Sequence, residues 1–241
     1  MATMPSRADT APRAIASILA QVERLWLFLD RFDVTPAYAM DERIHVLRTA
    51  EVGDIRANGK LAGLARETTH CTFFSVDDDV EYPADYCDTL ESQLANYGGR
   101  AAVGVHAAIL SSPVTSYVRD MTVMHRRASL DDPIEVDLLG TDSTAFRTST
   151  LHFAVREWEH LNLVDLSFAL TARRASVPLV AIPRAKGWVN PLAERQDDSI
   201  WLGVRRDDTK QTALAQELVA LPRPRLVPPE VASAGISFER T

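Results

Sequence analysis

Five residues, Thr72-Phe73-Phe74-Ser75-Val76, run apolar almost without interruption and then stop on three consecutive carboxylates, Asp77, Asp78 and Asp79. β-Branched and aromatic residues without polar alternation suit a strand covered on both faces, inside a sheet. Three adjacent charges cannot follow that strand into the core. It must surface at its carboxyl end, the edge at which open α/β sheets bind ligands. Downstream, Tyr82-Pro83 leads into Tyr86, Leu90, Leu94 and Tyr97 at helical spacing, and Gly98-Gly99 ends that helix.

The same alternation recurs along the chain. Ala2 to Met4 reads as a very short strand, and Ile15, Ile18, Leu19 and Val22 mark a helix after it. Leu25 to Leu29 is a second buried strand ending at Asp30, and Ile44 to Leu47 a third. Turn residues from Gly53 to Lys60 precede a helix-like stretch, Leu61 to Arg66. Strands alternating with helices predict an α/β chain, a single Rossmann-like domain with a mostly parallel central sheet flanked by helices. Ala101 to Leu110 reads as one more strand. Ser111 to Pro133 has no period and is expected to be a mobile loop. Glu135 to Leu139 and Ser143 to Phe146 are short strands flanking Gly140, and Pro178 to Ile182 is the last. Leu163 to Arg174 is a helix with Asn162 as its cap, and Thr209 to Val219 is another helix. The expected division is a domain over 1–203, in halves of about 1–110 and about 111–203. A helix and a tail punctuated by Pro222, Pro224, Pro228 and Pro229 complete it over 204–241.

Bulk properties narrow the function class. At 241 residues and 46% hydrophobic the chain can bury a full core. A net charge of -7 argues against binding a phosphate backbone, which takes a cationic face, so no nucleic-acid partner is expected. Two cysteines, Cys71 and Cys87, are too few for a disulfide framework or a four-ligand zinc site. Met1 to Arg13 lacks an apolar leader core, and no run approaches the roughly 20 apolar residues of a membrane span. A cytoplasmic protein with no transmembrane segment is the expectation.

Three adjacent carboxylates repel one another, and a divalent cation relieves that repulsion. Mn²⁺ or Mg²⁺ held by two of them can take its remaining oxygens from a diphosphate. Alternation along an extended chain lets Asp77 and Asp79 share one side while Asp78 points elsewhere, which makes Asp79 the preferred direct ligand and Asp77 its companion.

In several ordered pieces the chain resembles the family 2 type of glycosyltransferase with a GT-A fold. The pieces are Thr3-Met-Pro-Ser-Arg7, Leu29-Asp30, Gly53-Asp54 with Gly59-Lys60, Phe74-Ser-Val-Asp77-Asp78-Asp79, Gly140-Thr141 with Ala145-Phe146-Arg147, and Val164-Asp165-Leu166, spanning roughly residues 2 to 203. The resemblance implies transfer of a sugar from a nucleoside-diphosphate donor, with UDP the default, to a hydroxyl acceptor. It sets Pro5, Ser6, Arg7 and Asp30 beside the nucleoside, and Asp54 and Lys60 in the segment that closes over base and ribose, with Lys60 at a helix start. Asp77, Asp78 and Asp79 serve the metal and the diphosphate, and Gly140 and Thr141 lie near the transferred sugar, with Asp142 a further candidate. Asp165 follows at a spacing similar to the family's later acidic motif and is the expected base of an inverting reaction. Trp188 resembles a late aromatic that stacks on sugar or base. One departure concerns the metal: many such enzymes add a late histidine, and none occurs here after His160. His106, inside an apolar strand, reads as a structural residue rather than a ligand. A homodimer is left open.

Two other readings are weaker. Asp77-x-Asp79 also suits a haloacid dehalogenase-like phosphohydrolase, but Glu81 stands where that motif has Thr or Val, and three predicted strands precede it. A protein that binds a nucleotide sugar without turning it over is the non-enzymatic alternative. Nucleotidyltransferases and dinucleotide-dependent oxidoreductases both need an early glycine-rich loop, whereas the first glycine here is Gly53.

Overall fold

The computed structural model describes residues 1–192 and 200–226 of the chain. Pro228 and Pro229, read above as part of the tail, lie outside them. In chain order come β1 (Ala2–Thr3), a 3-10 turn (Pro5–Arg7), α1 (Ala11–Leu19), β2 (Leu25–Leu29), β3 (Ile44–Arg48), α2 (Thr49–Val52), a long 3-10 stretch (Arg56–Arg66), β4 (Thr72–Val76), β5 (Val80–Glu81) and α3 (Tyr86–Ala95). There follow β6 (Ala102–Gly104), β7 (Ala107–Leu110), β8 (Met121–Met124), β9 (Ile134–Val136), β10 (Leu138–Leu139), β11 (Ser143–Arg147), α4 (Val164–Arg174), β12 (Leu179–Ala181), β13 (Asn190–Pro191), α5 (Ile200–Val204) and α6 (Thr209–Ala220). Among the described residues no helix is long and apolar enough to cross a membrane.

The chain is α/β, with sheets that are mixed rather than mostly parallel. β1, β2 and β3 form a parallel sheet, with Ala2 opposite Phe28 and Leu25 opposite Ile44. A five-stranded sheet runs β4-β11-β6-β12-β9, in which only β6 and β12 are parallel. β10-β7-β8 is antiparallel, as is the pair β13-β5. The expectation of a mostly parallel sheet fails for a physical reason: a continuous apolar run reports burial on both faces, which either pairing supplies. β4 takes its antiparallel partner from residues 143–147, with Val76 opposite Ser143 and Thr72 opposite Arg147. The end of β4 and the start of β11 therefore lie side by side.

Alternate residues of the strands feed two cores. Phe28, Phe73, Ala102 and Phe146 join the 3-10 stretch, α4 and α6 on one face. Leu27, Leu29, Val76, Val103 and Ala145 join α1 and α3 on the other. Phe146 anchors the first core, its ring 5.6 Å from Phe73 and 5.5 Å from Phe168. Gly59 in the 3-10 stretch is pressed against Phe28; a Cβ there would lie 2.0 Å from the ring. Only glycine lets that backbone approach so closely.

Other local expectations are corrected. Ala101 to Leu110 is two strands in two sheets, parting at Val105-His106. The segment 111–133 is not a loop throughout, because β8 pairs along β7 from Ala107↔Met124 to Leu110↔Met121. Its period escapes the sequence since Thr122 and Val123 are both exposed. The carboxylate of Asp120 fixes the preceding turn, accepting from the N–H of Thr115 at 2.6 Å and of Ser116 at 2.8 Å. Asn162 does not cap α4, whose first-turn neighbour is Leu163. At φ 62° Asn162 instead accepts from Ala57 N at 3.2 Å, and its own N–H donates to Asn58 Oδ1 at 3.2 Å. Lys60 lies inside the 3-10 stretch, not at a helix start.

Candidate functional site

The register of β4 against β11 decides what meets at the sheet edge. Beyond Val76 and before Ser143, the chain presents Asp77 on one strand and Thr141-Asp142 on its neighbour. One buried side chain locks the two: the Tyr82 hydroxyl accepts from Asp77 N at 2.7 Å and donates to Asp142 O at 2.6 Å. Burial holds the Tyr82 pKa well above its ordinary value, so the phenol keeps the proton it donates. Ser75 adds a bond from its hydroxyl to Thr141 O at 2.5 Å. Gly140 supplies the tight turn; a Cβ there would stand 2.5 Å from Asp142 Oδ1 and 3.0 Å from His106 Cβ.

Asp165 reaches the same place from the first turn of α4. Its Oδ1 accepts from Thr141 N at 2.8 Å and from the Thr141 hydroxyl at 2.6 Å. Both donors fall on one oxygen, which fixes the plane of the carboxylate and leaves Oδ2 to face other chemistry.

Two cations stand among these carboxylates. Lys60 pairs with Asp77, and Arg126 with Asp142. Burial works against the Lys60 ammonium, but Asp77, Asp165 and Asp142 outweigh it and raise its pKa. Arg126 is raised in the same way, burial being overcome by Asp142, Asp77 and Asp79. For Asp142 burial is outweighed by Arg126, His106 and Lys60, so its pKa is lowered and it remains a carboxylate. Asp78 has no such relief. Burial, then Asp77 and Asp79, push it up to about 7, against the opposing pull of Thr3 and of Arg7, whose Nε lies 4.0 Å from Asp78 Oδ1.

Of the remaining residues singled out in the sequence, Pro5, Ser6 and Arg7 form the 3-10 turn leaving β1. Asp30 is buried at the end of β2, its N–H donating to Thr3 O at 2.9 Å and its Oδ2 3.2 Å from Arg31. The ends of β1, β2 and β4 thus bring Arg7, Asp30 and Asp78 to one edge. Asp54 is not drawn into the carboxylate group; it is exposed and pairs with Arg56 at 2.7 Å. Trp188 belongs to an aromatic row behind Tyr82: Tyr86 is 4.7 Å from the Tyr82 ring and Trp188 5.8 Å from Tyr86, while the indole N–H donates to Asp85 at 3.0 Å.

Sequence reasoning missed Tyr82 and Arg126 and set His106 aside. His106 is half-buried at the site, its backbone N–H donating to Ser143 Oγ at 3.1 Å and its ring 5.4 Å from that of His125. Burial lowers its pKa against the pull of Asp142. The Gly140 turn that it packs against was the signal that could have drawn attention to it. Arg126 sits in a stretch with no period, and its sequence offers no such signal.

Among the described residues no group of three His, Cys, Asp or Glu is arranged to hold a metal ion. Asp77 and Asp79 are nonetheless the hard oxygen donors that Mg²⁺ or Mn²⁺ takes in pairs when substrate phosphates complete its shell. Asp77 is already paired with Lys60. Compared with known proteins, the chain matches no protein-family model and no curated protein. Fold and site geometry carry the functional argument.

Proposed function

We propose that the chain is a GT-A-type glycosyltransferase that moves a sugar from a nucleoside diphosphate, UDP by preference, to an acceptor hydroxyl with inversion. The observation behind this reading is the β4/β11 register, which sets an acidic strand end beside a glycine turn whose Thr141 orients Asp165. The acceptor oxygen attacks the anomeric carbon, the bond from that carbon to the diphosphate breaks, and the diphosphate leaves with the electron pair. Asp165 Oδ2 takes the acceptor's proton as the new bond forms. The backbone at Gly140 and the hydroxyl of Thr141 border the transferred sugar, and Arg7 and Asp30 lie toward the nucleoside. Asp79, with Asp77, would hold a divalent ion whose charge offsets that of the leaving diphosphate.

A thermal-shift screen of nucleotide sugars with and without Mn²⁺ tests the donor class, since a ligand selective for the folded state raises the apparent midpoint. Stabilisation by at least one nucleoside-diphosphate sugar is expected, larger with Mn²⁺. No shift with any of them would overturn the reading.

A further inference from the structure

The site's second cation comes from the segment least readable in sequence, and the backbone around it is held at several points. Met124 is in register with Ala107 across β8 and β7. Arg184, itself buried, donates from its guanidinium to Met124 O at 3.3 Å and His125 O at 3.2 Å, and from its other terminal nitrogen to Ile182 O at 3.0 Å. Gly187 N donates to Arg127 O at 3.0 Å, and Leu130 and Arg184 exchange backbone bonds of 3.0 and 2.7 Å. The chain is thus pinned before and after Arg126, and its side chain, 19% exposed, is directed onto Asp142.

Nothing in this arrangement uses up the arginine. Asp142 also accepts from Ser143 Oγ at 2.9 Å, and Arg126 Nε is buried without a hydrogen-bond partner. A guanidinium carries five donors in a planar fork that matches phosphate oxygens two at a time. A contrasting arginine shows what a closed pairing looks like: Arg173 donates to Asp137 at 2.7 Å and to Leu221 O at 3.3 Å, far from any excess of carboxylates. Arg126 instead is paired with Asp142 and lies within the electrostatic field of Asp77 and Asp79, on the edge where a diphosphate bound to that acidic strand end would lie.

We propose that Arg126 is a donor-binding residue, held on Asp142 in the free protein and turning its fork to the diphosphate oxygens when the donor enters, with Lys60 as the second fixed cation. The inference rests on the nucleotide-sugar reading and deepens it, since it names the group that receives the charge of the leaving diphosphate. Lys60 is positioned by the close packing of Gly59 on Phe28, and Arg126 by the Arg184 clip. Neither needs a mobile lid to bring it to the site.

Calorimetric titration of the full chain with inorganic pyrophosphate, UDP and uridine tests this, using wild type, Arg126→Gln and Arg126→Lys. Arg126→Gln is expected to weaken pyrophosphate and UDP about tenfold or more while uridine changes less than about twofold, and Arg126→Lys, which keeps the charge without the fork, falls between. Pyrophosphate and UDP bound by Arg126→Gln within about twofold of wild type would overturn the assignment, as would an equal loss for uridine, the mark of a merely structural role. Should Arg126→Gln fail to fold, the Arg126→Lys titrations decide by the same two comparisons. Wild type that binds neither UDP nor pyrophosphate would remove the nucleotide-sugar reading itself, an outcome distinct from one in which wild type binds and the variants bind equally.

Discussion

Asp137 and Asp142 are both buried against arginines, and they are put to different ends. Asp137 is saturated: Oδ2 accepts from Leu110 N at 3.0 Å and lies 2.7 Å from Arg223, while Oδ1 accepts from Arg173 at 2.7 Å and from Arg223 Nε at 3.2 Å. That network ties the β9–β10 junction to α4 and to the chain beyond α6. Asp142 takes one arginine and one serine, and Lys60 adds to the pull of that arginine on its carboxyl. The difference teaches how a stabilising ion pair is told from a poised one. In the first, each oxygen has its donors and the charges close locally; in the second, one donor of the arginine is left over. A buried pair is weak evidence of stability in itself, because desolvation offsets much of the attraction.

Four substitutions sharpen or break this contrast. Asp165→Asn should have the largest effect, lowering sugar transfer about 10²- to 10⁴-fold while donor affinity changes less than about twofold, as read from product analysis beside calorimetry. Unchanged transfer would remove Asp165 as the base. Next comes the saturated site, where Arg173→Gln should lower unfolding stability by about 3–5 kcal/mol in urea titrations by leaving a buried carboxylate short of its partner. Its turnover per folded molecule should match wild type, and a selective loss of transfer would break the division drawn between the two aspartates. Tyr82→Phe should cost about 1–3 kcal/mol, because Asp77 N and Asp142 O each lose their bond to one hydroxyl. A donor affinity unaffected by that change would mean the strand ends hold their spacing without the tyrosine.

The smallest effect is a pH dependence. His106 has a folded pKa lowered by burial from 6.5, so below about pH 6.5 the unfolded chain takes up the proton first. Its contribution is fully present above that pH and is lost as pH falls. Asp142 and Asp165 pull the ring toward protonation and Arg126 and Arg184 oppose them, which keeps the slope modest. Asp78, raised to about 7, works in the opposite direction over the same range, so the ring is read by difference: between about pH 7 and pH 5 His106→Gln should lose less stability with falling pH than wild type. An identical slope in that variant would assign it to other groups.

Local patterns in the sequence were legible where one element explains itself. The stripe from Tyr86 to Leu94 is the buried face of α3, and Gly98 and Gly99, at φ 59° and 70°, stop it, with Gly99 N bonded to Leu94 O at 2.9 Å. The strand ending at Asp77 lies where its apolar run requires. Pairing was not legible, since Phe73 and Val76 are buried whichever neighbour β11 supplies, and that pairing is what joins Asp77 to Asp142. Arg126 was hidden for a related reason: β8 has half-exposed and exposed residues in no regular order, and the contacts that hold it come from Arg184, about sixty residues along the chain. Asp54 failed the other way. Its turn chemistry was visible, and turn chemistry with Arg56 is what the fold uses it for.

The bonds that tie Ala57 and Asn58 to Asn162 bear on how the protein ages. Asn58 precedes Gly59, and in a loose chain the glycine nitrogen attacks the asparagine side chain readily, expelling ammonia to close a succinimide that water then opens to an aspartyl or isoaspartyl residue. In the fold the Asn58 amide is wholly buried and donates to His160 O at 3.0 Å, out of reach of that attack. Each excursion to the unfolded state exposes it. A chain that deamidates there returns without the amide donor and with a charge facing a carbonyl, next to the lysine that neutralises Asp77. Thermal inactivation of this protein should then become irreversible one Asn-Gly bond at a time, and the damage would be read first at the acidic strand end.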